Sequence, residues 1–60
     1  MKKEIEALSK IEQKNKSYNN TFAREMSIWE DIAGWINGTT GKEKDFWCRV
    51  MDLYKEKYRE

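Results

Sequence analysis

The sequence predicts an all-α fold. Three observations carry the prediction. The chain of 60 residues contains no proline. Its apolar side chains recur at spacings of three and four, the period of a helix face. A stop-and-start signal, Asn37-Gly38-Thr39-Thr40-Gly41, divides two such stretches. The expected architecture is one small domain spanning residues 1–60. It is a helical hairpin of residues 2–36, either continuous or broken near 17–21, followed by residues 41–58. A homodimeric helical bundle is expected to complete the core, because a domain of this size is marginal alone and small folds recruit extra support.

Residues 2–16 are helical in vocabulary. Glu6 and Lys10, and Glu12 and Lys16, stand at the favourable i, i+4 spacing. The apolar stripe is thin: Ile5, Leu8 and Ile11. Ser17-Tyr18-Asn19-Asn20-Thr21 follows, five poor helix formers in a row, which favours a break. A second reading competes with it. Steps of four and three from Met1 reach Ile5, Leu8, Glu12, Asn15, Asn19, Phe22, Met26, Trp29, Ala33 and Ile36. One long helix would present these as a continuous seam, with Asn15 and Asn19 as buried residues that set its register.

In residues 22–36, Phe22, Met26, Trp29, Ala33 and Ile36 form a tight stripe at about 100° per residue, and Ile28, Ile32 and Trp35 widen it on one side. Such a stripe is broad enough to face two neighbours. Phe22, Met26, Ile28, Trp29, Ile32, Trp35 and Ile36 are therefore the expected dimer or partner interface, with Ile28, Ile32 and Trp35 the part that the hairpin leaves uncovered. Trp29 and Trp47 stand centrally on their faces and are expected in the core.

The bend follows. A glycine just past the last apolar residue commonly ends a helix in left-handed backbone, which Gly38 is placed to do. Thr40 and Glu43 have the spacing of a capping box, in which each side chain bonds the other's backbone amide. A phosphate-binding loop is excluded, since Gly41-Lys42 is followed by Glu43 rather than serine or threonine and no strand precedes it. Past the bend, Phe46, Trp47, Val50, Met51, Leu53, Tyr54 and Tyr58 fall on one face. Of these Phe46, Trp47, Val50, Leu53 and Tyr54 are the expected hairpin core. Cys48, Arg49, Asp52, Lys55, Glu56 and Arg59 fall on the other face, and Lys57 intrudes with a long stem able to lie on apolar surface.

Composition limits the function. There is no histidine and one cysteine, Cys48. An intrachain disulfide is impossible, and a zinc site, which wants four nitrogen or sulfur ligands, is not expected. Cys48 has no histidine to act as its base, so no nucleophilic catalysis is expected either. Glu25 falls inside the apolar stripe, but no second carboxylate is placed to work with it. The expectation is a non-enzyme with no cofactor. Twelve basic against eleven acidic residues give a net charge of +1, far from the basic bias of nucleic-acid binders. The mean hydropathy of −1.06 is offset by three Trp, three Tyr and two Phe, which disordered chains avoid. No apolar run approaches the roughly 20 residues of a membrane span. Met1-Lys2-Lys3 is followed by charged residues rather than by the apolar core of a secretion signal, so a cytoplasmic protein without a membrane partner is expected.

Tryptophan is enriched at binding hot spots, and three in 60 residues is a high count. The expected function is binding of another protein, as a small regulator, inhibitor or adaptor. Tiny helical chains of this build are frequent among phage and mobile-element genes that bind host proteins, an analogy of size and class. The alternative is a small dimeric nucleic-acid-binding regulator. Residues 22–54 would then act as a helix-turn-helix, offering Lys42, Lys44, Cys48, Arg49, Asp52 and Lys55 to a groove.

Overall fold

The computed structural model describes residues 1–58. They form three helices and no strand: α1 (Lys2–Lys14), α2 (Thr21–Gly38) and α3 (Gly41–Tyr58). Of the two alternatives for residues 2–36 the one with a break near 17–21 is adopted, so the chain is a three-helix bundle and the long continuous helix is not formed. Arg59, assigned to the polar face of α3, lies outside the described residues.

Two asparagines make the break between α1 and α2. Asn15 ends α1: its side-chain Nδ2 turns back and donates to the Ile11 carbonyl at 2.8 Å. Asn20, in extended backbone, starts α2, its Oδ1 accepting from the Ala23 amide at 3.2 Å. Asparagine is favoured at both tasks because its short polar side chain bonds nearby backbone. Asn15 is also buried. It accepts from the Ser27 hydroxyl and donates to Asp31, which joins the end of α1 to the middle of α2. Asn19 is exposed. The residue read as a seam position is therefore a polar joint.

The bend between α2 and α3 falls where expected, with different chemistry. α2 runs two residues past Ile36, to Gly38, and Gly38 does not have left-handed backbone. Thr39 is extended, and its hydroxyl donates to the Trp35 carbonyl at 2.7 Å, covering one of the carbonyls that a helix end leaves open. Gly41 has φ +62°, and it is the glycine that turns the chain into α3. With the turn at Gly41, Thr40 stands outside the first right-handed turn of α3, and the expected Thr40–Glu43 box does not form; both side chains are exposed.

The core is Leu8 and Ile11 from α1, Ile28 and Ile32 from α2, and Val50 and Met51 from α3. Ala7, Ala33, Ile36, Phe46, Trp47, Leu53, Tyr54 and Tyr58 pack around it. The reading of α3 agrees: every residue placed on its apolar face is buried or half-buried, and Cys48, Arg49, Asp52, Lys55 and Glu56 are exposed. The reading of α2 needs correction. Ile28 and Ile32, expected to stay uncovered, are fully enclosed within the chain, whereas Phe22, Met26 and Trp29 are exposed. The reason is the third helix. α1 lies chiefly along α3 and touches α2 near Ser27 and Asp31, so the buried face of α2 rotates towards Ile28 and Ile32. In α1, Ile5 is exposed and Glu4 is buried in its place.

Candidate interaction surface

The chemistry-bearing side chains are dispersed. Among the described residues no three of His, Cys, Asp and Glu cluster so as to hold a metal ion. Cys48 is an exposed free thiol. Among these residues no helix is long and apolar enough to cross a membrane.

What the structure does gather is apolar surface. Phe22, Met26 and Trp29 follow one another along α2 at i, i+4 and i+7, so they form a ridge on successive turns. Phe22 is 71% exposed, and Met26 and Trp29 are each 42% exposed. Beside the ridge runs a groove between α2 and α3, lined by Phe22, Glu25, Met26, Tyr54, Lys55 and Tyr58. Its floor is fixed by a bond across the helices: the Tyr54 hydroxyl donates to the Glu25 carbonyl at 2.8 Å. Burial raises the pKa of this phenol, and the nearby Glu25 charge adds to the effect.

Tyr58 closes one end of the groove and donates to the carboxylate of Glu12 on α1. Its pKa is raised by burial first, then by this bond and by the Glu12 and Glu25 charges. Lys57 Nζ meets the same Glu12 carboxylate at 2.7 Å. Burial opposes charge on Glu12, yet the hydrogen bonds from Lys57 and Tyr58 hold its pKa below the ordinary value. At the other end of α1, Arg49 donates to Glu4 at 2.7 Å. This bond chiefly lowers the Glu4 pKa, with help from its own backbone amide and the N-terminal ammonium. α1 is thus held to α3 by ionic contacts near both of its ends, with Ala7, Leu8 and Ile11 at the core between them. Glu12, expected to pair with Lys16 along its own helix, is bound across the bundle instead.

The remaining interface residues lie apart from the ridge. Trp35, 51% exposed, stacks on Trp47 with ring centroids 5.1 Å apart and planes 10° from parallel. Phe46 meets Trp47 edge-on at 5.1 Å. Trp35 therefore seals the core at the bend, and Ile36 is half-buried beside it. Trp47 is the core tryptophan of the expected pair, and Trp29 belongs to the surface. Val50 is fully buried; Leu53 and Tyr54 are half-buried against it. Of the residues offered to a nucleic-acid groove, Arg49 is engaged by Glu4 and Lys55 lines the apolar groove.

Tyr54 and Tyr58, packed against the core, also line the groove together with Lys55, a role that the sequence does not announce. The sequence reads Tyr54 as hairpin core, Tyr58 only as part of the apolar face of α3, and Lys55 as part of its solvated face. Only the docking of α3 on α2 shows that their side chains flank Phe22 and Met26. Comparisons with protein-family models, with characterised proteins and with solved structures found no match to this chain.

Proposed function

We propose that the chain is a non-enzymatic protein-binding module, a small regulator, inhibitor or adaptor, which works through the α2 ridge and pairs with itself as a homodimer. The observation that carries the reading is the ridge. Phe22, Met26 and Trp29 are large, adjacent and open to solvent on a chain whose own core is already complete without them. Contiguous apolar surface of this kind marks interaction sites, and aromatic and methionine side chains are enriched in interface centres. The mixed polar faces favour a protein partner over a polyanion, because acidic and basic residues alternate along α3 and the net charge is +1. The proposed interface is Phe22, Met26 and Trp29. Ile28 and Ile32 support it from within.

Affinity capture from the native host, run in parallel with the wild-type chain and a Trp29→Asp variant of unchanged helicity, tests the reading. The expected result is a protein retained by the first and lost by the second. Identical captured sets would sink it.

A further inference from the structure

We infer that the polar cavity to which all three helices contribute is a binding site for a phosphate monoester. It is lined by Ser9, Glu12 and Gln13 of α1, Lys16 just past its end, Arg24 of α2 and Tyr58 of α3. Its volume is about 310 Å³, at the lower end of small-molecule sites. Glu12, Arg24 and Tyr58 are half-buried, whereas Ser9, Gln13 and Lys16 are exposed. Phe22, Met26 and Trp29 take no part in it, so the inference is independent of the protein-binding reading.

Arg24 carries the argument. Its Nη2 donates to the Tyr18 carbonyl at 2.7 Å, which fixes the guanidinium in place. Its Nε is buried and has no hydrogen-bond partner. A buried donor of a charged group is costly to leave without an acceptor. An oxyanion is the acceptor that suits it, because bonds from guanidinium to phosphate are charge-assisted. The rest of the wall agrees. Glu12 is the one carboxylate lining the cavity, and Lys57 at 2.7 Å and the Tyr58 hydroxyl already offset its charge. Glu25, whose charge also reaches Tyr58, lines the neighbouring groove instead. Among the described residues neither Lys16 nor Arg24 forms an ion pair. The two cations are therefore uncompensated, a local surplus on a chain whose net charge is only +1. The Ser9 hydroxyl and the Gln13 amide add neutral donors. Two cations and two neutral donors match a group of about −1.5 to −2 charge with three acceptor oxygens. A carboxylate brings about half that charge and one oxygen fewer.

Proton–nitrogen NMR tests the assignment, because it sees the arginine Nε–H as well as the backbone amides. The probes are N-acetyl-O-phosphoserine amide and glycerol phosphate, with N-acetylserine amide as the blank and ionic strength held constant with chloride. The Arg24 Nε–H and the Ser9 and Gln13 amides are expected to shift and saturate, with half-saturation on the order of 1 mM. The blank should move nothing. Lys16→Gln, at an exposed position, should weaken binding by about tenfold. Lys44→Gln makes the same change of net charge at an exposed position of α3 outside the cavity, and it should bind as the wild type does. Arg24→Gln should abolish binding; if it unfolds the chain, the Lys16 and Lys44 pair still decides. Saturation by either ester carries the assignment, and the tighter of the two tells a phosphorylated side chain from a small metabolite as its source. Shifts that never saturate, or that are the same in wild type and Lys16→Gln, overturn it.

Discussion

Asn15→Ala separates the two readings of the N-terminal half by the sign of its effect. In a continuous helix, alanine in place of asparagine would be favourable by about 0.6 kcal/mol of helix propensity. In the folded bundle, Asn15 is buried and its side chain takes part in three hydrogen bonds, to the Ile11 carbonyl, Asp31 and Ser27. Each such bond contributes about 1 kcal/mol net. Ser27 and Asp31 are only part-buried and can recruit water, so the sum is about 2–3 kcal/mol lost. A chain of this length has roughly 3–9 kcal/mol in total. At about 4–8 °C per kcal/mol for small domains, the melting temperature should drop on the order of 10–20 °C. The assay is thermal and urea unfolding by far-UV circular dichroism, at a fixed concentration low enough to keep the chain monomeric. Asn19→Ala, on the exposed linker, is the control and should be near neutral. An Asn15→Ala chain as stable as this control, or more stable than wild type, would refute the polar joint.

Three further outcomes follow from the geometry. Gly41→Ala should cost about 1–2 kcal/mol, since a side chain is strained at φ +62° even though space around the residue is open; Thr40→Ala should be near neutral, and urea midpoints compare the two. Ile32→Ala, at a fully enclosed site, should cost about 2–5 kcal/mol, measured in the same way. Stability should fall on both sides of neutral pH, as read from urea midpoints against pH. Glu4 and Glu12 have lowered pKa values, so their contribution is present above the ordinary value of 4.5 and is lost as pH falls below it. Tyr54 and Tyr58 have raised values, so theirs is present below the ordinary value of 10.0 and is lost as pH rises above it. Glu4→Gln with Glu12→Gln should flatten the acid limb and leave the alkaline limb in place.

The face of α3 was legible because its apolar residues leave one arc empty, so any neighbour must lie on the other. α2 was harder to read. Phe22, Met26, Ile28, Trp29, Ile32, Ala33, Trp35 and Ile36 cover most of its circumference, and periodicity alone cannot say which arc is the core. The tightest stripe was chosen, but the bundle buries Ile28 and Ile32, which face the seam between α1 and α3. That choice depends on where α1 docks, and α1 docks through Glu4 with Arg49 and Glu12 with Lys57 and Tyr58, pairs separated by about 45 residues. No local pattern announces such pairs. The bend was legible because a run of glycine and threonine between helices can do little else; which glycine takes the left-handed backbone was settled by packing.

The stacked pair of Trp35 and Trp47 gives the molecule an internal optical gauge. Two indoles held nearly parallel 5.1 Å apart couple their electronic transitions, and the coupling vanishes once the rings separate by a few ångströms or lose their fixed orientation. One ring belongs to α2 and the other to α3, so the signal reports closure of those two helices on one another. Trp29, standing free on the ridge, answers instead to whatever settles there, through the colour of its emission. Three chromophores thus resolve two events, and the order in which a bundle opens and a partner departs becomes visible without a label.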